Sequence, residues 1–218
     1  MRISVLFSGG KDSSLSALLM EPFFEIELVT CTFGLLPNGE LAAKIARELQ
    51  FPHKVLSLEW EILEKAYEKI MNDGFPKSAI NYIHEKAVET LALDSEVKFI
   101  ADGTRRDDRV PVLSISQIRS IEDRLGIQYI CPLKGYNRKT VGILVERYLS
   151  IKEGPSDSIQ KADYETELRE LIRQRHGEEK IKKLFPAHIQ SQVLSRKKQP
   201  EMTALKGKKP IKEKGILE

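Results

Sequence analysis

The apolar positions of the first 150 residues fall into alternating blocks. Residues 2–7, 26–33, 54–58, 97–101 and 127–130 are near-continuous apolar runs of strand length, as in strands buried on both faces. Between them apolar residues recur at helical spacing. The sets are Leu15, Leu18, Leu19; then Leu41, Ile45, Leu49; then Leu63, Tyr67, Ile70; then Ile80, Ile83, Ala87, Leu91. Ile115, Ile118, Ile121 and Leu125 follow, and Val141, Leu144, Val145 and Tyr148 close the series. Pro22, Gly34, Pro37-Asn38-Gly39 and Asp73-Gly74 separate the blocks, and Pro76 sits where proline opens a helix. The alternation predicts an α/β fold: a Rossmann-like, parallel five-stranded sheet with helices on both faces. Right-handed crossovers then bring the C-terminal ends of all strands to one edge, where a ligand is expected.

The alternation stops near Lys152. Gly154-Pro155-Ser156-Asp157-Ser158 breaks it. Residues 163–174 read as a helix with Tyr164, Leu168 and Leu171 in phase, Asp163 as its cap and Gly177 as its stop. Residues 178–185 and 186–195 read as two short helices. Three parts are expected: a domain over 1–152, a small C-terminal helical appendage over 153–195, and a basic, flexible tail over 196–218.

Charge matters chiefly in that tail. The 218 residues carry 35 basic and 32 acidic side chains, net +3. Residues 196–218 hold eight Lys or Arg against three Glu, so the tail is +5 and the rest of the chain −2. Such a tail attracts polyanions such as RNA, or simply solubilises the chain end. The two cysteines, Cys31 and Cys131, form no CxxC, which excludes zinc-ribbon spacing and a disulfide framework. No apolar run is long enough to span a bilayer and no signal peptide precedes the first strand. The expected location is the cytoplasm, with no membrane partner. With Met1 directly ahead of the first strand, no fused glutaminase domain is expected.

The chemistry begins at Ser8-Gly9-Gly10-Lys11-Asp12-Ser13-Ser14, between the first strand and the first helix. The glycines allow a sharp turn and close approach of an oxyanion. The helix N-terminus beyond them favours phosphate, with hydroxyls from Ser8, Ser13 and Ser14 and a charge from Lys11. Asp12 does not suit a bare anion site; a carboxylate beside phosphate implies a bridging divalent cation, most often magnesium. The spacing is neither the Walker loop nor Gly-x-Gly-x-x-Gly. It resembles the Ser-Gly-Gly-x-Asp-Ser signature of the PP-loop (N-type) ATP pyrophosphatases of the adenine nucleotide alpha hydrolase-like superfamily, which it matches in full. The resemblance covers roughly residues 1–150. It implies ATP bound through its β- and γ-phosphates, cleavage to AMP and pyrophosphate, and adenylation of a substrate oxygen.

Other strand ends carry further candidates. After the fourth strand, Gly103-Thr104-Arg105-Arg106-Asp107-Asp108-Arg109 resembles the superfamily's second motif, Gly-Thr/His-x-x-Asp-Asp. Gly103 and Thr104 are expected at the nucleotide, Arg105, Arg106 and Arg109 at phosphates, and Asp107 and Asp108 at magnesium together with Asp12. The arginine run departs from many relatives and leaves the substrate class open. Thr32 and Phe33 end the second strand, where the family binds adenine by backbone contacts and apolar packing. Cys131-Pro132-Leu133, followed by Asn137-Arg138-Lys139, resembles the Pro-Leu and Lys-led helix of tRNA- and nucleoside-modifying relatives, giving Lys139 a phosphate or substrate role. Cys31 and Cys131 lie at strand ends, where they serve sulfur transfer or fill the core. Residues 184–191, Leu-Phe-Pro-Ala-His-Ile-Gln-Ser, form an unusual mixture with no recognised mechanism.

The resemblance therefore implies an adenylating ligase or transferase. Lys11, Asp12, Arg105, Asp107 and Lys139 are its catalytic candidates, and ATP and Mg2+ its cofactors. The substrate is expected to be tRNA or a nucleoside, thiolated or amidated with sulfur or ammonia from solution or a donor protein. A homodimer is compatible with the sequence. The alternatives are a small-molecule or diphthine-type amide ligase and a non-catalytic adenine-nucleotide-binding protein.

Overall fold

A computed structural model describes residues 1–156 and 158–198. The expected flexible tail therefore lies, beyond Lys198, outside the described residues. Five parallel strands form the main sheet: β1 (Arg2–Leu6), β2 (Glu25–Thr32), β3 (His53–Ser57), β4 (Phe99–Ala101) and β5 (Gln128–Ile130). Their order is β3-β2-β1-β4-β5, and every neighbouring pair is parallel. Strand order reverses beside β1, so the crevice between β1 and β4 is the switch point where open α/β sheets bind ligands.

The helices follow the expected periodicity. They are α1 (Lys11–Met20), α2 (Asn38–Leu49), α3 (Trp60–Asp73), α4 (Lys77–Ala92), α5 (Ile115–Leu125) and α6 (Arg138–Tyr148). On one sheet face α3, α4 and α5 bury Leu63, Ile70, Ile83, Leu91 and Ile121. On the other, α1, α2 and α6 bury Leu15, Ile45, Leu49 and Val141. Helix ends match their chemistry. Gly74 and Gly126 adopt the left-handed C-cap, and Ser114 with Gln117 closes a capping box on α5.

Beyond α6 the structure departs from expectation. Residues Leu149–Pro155 form a strand, β6, through which the expected boundary at Lys152 passes. The helices α7 (Tyr164–His176) and α8 (Glu178–Leu184) form as expected, with the Asp163 carboxylate accepting the Thr166 amide at 3.1 Å. The expected third helix is instead a strand, β7 (Ile189–Arg196), antiparallel to β6. Its buried residues include Gln190 and Ser191, so an apolar pattern does not reveal it; the partner strand decides. The appendage is bound to the main domain. The Val193 amide donates to the Gly9 carbonyl at 3.0 Å and the Ala162 amide to the Ser8 carbonyl at 3.1 Å. Among the described residues no helix is long and apolar enough to cross a membrane.

Candidate functional site

One cleft of about 710 Å³ opens at the C-terminal edge of the sheet, within the usual size of small-molecule sites. Ser8, Lys11, Asp12 and Ser13 line it from the loop after β1. Gly9 has φ +73°, the left-handed region, and a Cβ there would stand 2.5 Å from Ile45 Cδ1, so only glycine fits. Gly10 precedes α1 without a side-chain cap, leaving first-turn amides of the helix at the cleft. The seryl hydroxyls differ from expectation. Ser13 and Ser14 donate theirs back to the Gly10 carbonyl at 3.2 and 2.8 Å, and Ser14 is buried away from the cleft.

The loop after β4 meets this turn directly. A Cβ on Gly103 would lie 2.6 Å from the Ser13 nitrogen, and Ser16 Oγ donates to the Asp102 carbonyl at 2.7 Å. That contact explains the glycine and puts residues 102–109 beside the 8–14 loop. Arg105 stands among the three expected metal carboxylates. Its Nε donates to Asp108 Oδ1 at 3.0 Å and lies 3.8 Å from Asp12 Oδ2 and 3.9 Å from Asp107 Oδ1. Asp107 also accepts the Arg138 amide at 3.0 Å. No three His, Cys, Asp or Glu side chains among the described residues are placed to hold a metal together. The expected trio is thus gathered, but around a guanidinium. Asp12 Oδ1 remains buried with no protein partner, and burial raises the Asp12 carboxyl above its ordinary range. One such carboxylate suits Mg2+, which is commonly held by one or two carboxylates plus substrate phosphates.

Of the other arginines, Arg109 and Arg138 line the cleft; Arg106 and Lys139 do not, and Lys139 is exposed. The phase of α6 presents Arg138 where Lys139 was expected. Thr104 lines the cleft, yet its hydroxyl donates to Asp102 Oδ2 at 2.6 Å. Thr32 and Phe33 do not line it. Their polar groups are engaged by Glu167 of α7, which accepts from Thr32 Oγ1 at 2.9 Å, the Phe33 amide at 3.0 Å and the Leu35 amide at 3.0 Å. The backbone expected to receive adenine is therefore occupied by the protein's own carboxylate.

Several lining residues escaped the sequence reading because they come from the appendage. Lys161 lies over the loop: its Nζ is 3.3 Å from where a Gly10 Cβ would be. Ser191 Oγ accepts the Lys11 amide at 3.3 Å, and Glu153 of β6 pairs with Lys11 Nζ at 2.5 Å. Gln190 and His188 also line the cleft.

A second set escaped because it is buried. Asp102, 3% exposed, accepts Thr104 N at Oδ1 (2.9 Å) and faces His84 Nε2 (3.0 Å) and Tyr129 OH (2.5 Å) at Oδ2. Burial alone would raise its carboxyl, but hydrogen bonds from His84, Thr104 and Tyr129 hold it at about 2. The cysteines flank this cluster as neutral thiols. Burial pushes Cys31 up to about 12 and raises Cys131 as well, with the Asp102 charge adding to the effect. Neither has the depressed value that thiolate chemistry requires.

A shorter likeness, 48% identity over 59 residues, joins 27% of this chain to 18% of the tRNA-specific 2-thiouridylase of Syntrophomonas wolfei. An uncharacterized protein of Methanocaldococcus jannaschii is 44% identical over 200 residues, which are 91% of this chain and 98% of its own. A crystal structure from the same organism, described as a predicted subunit of tRNA methyltransferase, superposes with a TM-score of 0.83. It is 43% identical and covers 92% of this chain and 100% of its own. The model of the family of unknown function DUF7411 matches residues 1–195, and the chain belongs to that family.

Proposed function

We propose that the protein is a PP-loop ATP pyrophosphatase that adenylates a tRNA base or nucleoside, in preparation for thiolation or amidation. The observation that carries the reading is the glycine turn before α1, with first-turn amides and the cations Lys11, Lys161, Arg105 and Arg138 around one cleft. In this arrangement Lys11, Lys161 and the α1 amides hold the β- and γ-phosphates. Arg105 and Arg138 neutralise charge that builds on pyrophosphate as it leaves. Asp12 would hold Mg2+, which would supply positive charge to offset that of the phosphates. The acceptor oxygen then attacks the α-phosphorus, the bond to the bridging oxygen breaks, and pyrophosphate departs. The short likeness to a tRNA thiouridylase supports a tRNA acceptor.

The neutral thiols, Cys31 buried and Cys131 partly exposed, favour a nucleophile brought from outside the chain over sulfur carried on Cys31 or Cys131. The test is product analysis with ATP, Mg2+ and bulk tRNA. AMP and pyrophosphate are expected, and Asp12→Ala should abolish both without loss of fold. ADP and orthophosphate as the products would refute the reading.

A further inference from the structure

The cleft is larger than its phosphate-binding end. Its remaining wall includes two apolar groups: Phe75, Pro76 and Ile80 at the start of α4, and Phe185, Pro186 and Ile189 between the end of α8 and the start of β7. The second group belongs to the 184–191 segment whose composition matched no mechanism. Two polar atoms in this lining are buried with no protein partner: His84 Nδ1 and Gln190 Oε1, on residues 2% and 8% exposed. Leaving such an atom unpaired costs about 1–3 kcal/mol, so both are placed where a ligand completes them.

Their neighbours fix the proton positions. Tyr129 and Thr104 each donate their hydroxyl to Asp102 Oδ2, so the oxygens facing His84 Nε2 are acceptors and Nε2 carries the proton. An imidazole whose single proton sits on Nε2 keeps its lone pair on Nδ1. Likewise, His188 Nδ1 donates to the Pro186 carbonyl at 3.1 Å, leaving Nε2 to accept from Gln190 Nε2 at 3.0 Å. Gln190 Oε1 is thereby the free end of its amide. Both unpartnered atoms are acceptors.

We infer that this part of the cleft recognises the ring of the acceptor substrate, a flat nitrogen heterocycle that presents N–H donors to His84 Nδ1 and Gln190 Oε1. The inference rests on the adenylation reading above and names the substrate side of that site. The apolar walls suit the faces of a ring, and the two acceptors demand donors on its edge. Position agrees. Asp102, which holds His84, is followed by Gly103 in contact with the first turn of α1, so the ring stands next to the phosphates. Adenine suits the pair less well, because its edge sets a ring acceptor beside the single amino donor.

The test uses full-length protein labelled with 15N-histidine, with free nucleosides as probes. In the free protein the His84 signals should show the Nε2–H tautomer. Guanosine, whose N1–H and amino group are adjacent donors, should at millimolar concentration shift the His84 Nδ1 resonance; 1-methylguanosine, which lacks the ring N–H, should not. Gln190→Leu should weaken guanosine binding about tenfold, as loss of one buried hydrogen bond predicts, and His84→Phe by at least as much. Both variants should keep ATP affinity within about twofold, as read by calorimetry. Equal binding of methylated and unmethylated nucleosides, or no binding, overturns the inference. Loss of ATP affinity in Gln190→Leu overturns it too and assigns the pocket to adenine. Because Gln190 makes one side-chain contact, its variant remains informative even where His84→Phe fails to fold. A wild-type protein that discriminates the nucleosides as stated but binds no ATP supports the ring pocket and removes the ATP reading alone.

Discussion

The Phe33 amide donates to Glu167 Oε2 at 3.0 Å, tying the end of β2 to the first turns of α7 across 134 residues of chain. Glu167 is fully buried and also accepts from Leu35 and Thr32, so no oxygen faces solvent. Glu167→Gln would turn a donor toward these N–H groups. It should lower stability by about 1–3 kcal/mol, and Glu167→Ala by more, since three donors lose their acceptor. Denaturant midpoints measure both; wild-type stability in the glutamine variant would show that the carboxylate does not hold β2.

Lys161 reaches the 8–14 loop only because β6 and β7 are docked on it. Its ammonium lies over Gly10 and pairs at 3.4 Å with Asp163, where the proposed reading puts a nucleotide phosphate. Lys161→Ala should weaken ATP binding about tenfold, as expected for one charge-assisted hydrogen bond, and leave the melting temperature nearly unchanged. Calorimetric titration of ATP into the variant is the check, and unchanged affinity would remove Lys161 from the phosphate site.

Why these two residues were silent in the sequence, while Gly9, Asp12 and Gly103 were legible, has a physical reason. The glycine turns follow directly on buried strands, and that local order marks them. Lys161 and Gln190 come from the appendage and enter the site, and Glu167 reaches the end of β2, through strand pairing and helix docking, which no short-range pattern encodes. His84 lies on the buried face of α4 and reads as packing until Asp102, 18 residues later, is placed against it. The expectation at Lys139 fell one residue from Arg138, a matter of helical phase. That all five strands run parallel, by contrast, followed from the alternation of elements.

The cysteines give a third expected outcome. With burial pushing Cys31 up to about 12 and raising Cys131 as well, both are protonated thiols at neutral pH. The Cys31→Ser, Cys131→Ser double variant should keep pyrophosphate release and lose about 1–2 kcal/mol of stability, the cost of placing hydroxyls in these surroundings. Folded protein should react with a thiol reagent far more slowly than free cysteine does. Loss of a sulfur-bearing product in the double variant, with adenylation intact, would return both residues to the chemistry.

The Asp102 carboxyl predicts how the fold responds to acid. Held at about 2 against an ordinary 3.8, it stays ionised in the folded state at pH values where the unfolded chain takes up a proton. A depressed carboxyl contributes stability above its unfolded value and loses that contribution as pH falls through the folded one. The window therefore runs from about pH 4 down to about pH 2, and the amount is about 2 kcal/mol. Asp12, raised by burial, acts with the opposite sign over neighbouring pH values, so wild type alone does not isolate the effect. The informative measurement compares wild type with Asp102→Asn by denaturant unfolding between pH 5 and pH 2. The variant should be less stable at pH 5 by about 1.5–3 kcal/mol, because hydrogen bonds from His84, Thr104 and Tyr129 to a carboxylate give way to weaker ones to a neutral amide. It should also show the shallower acid limb, so that the two curves converge toward pH 2. Parallel curves across that range would mean that Asp102 has an ordinary pKa and that its hydrogen bonds to His84, Thr104 and Tyr129 do not set the electrostatics of the cleft floor.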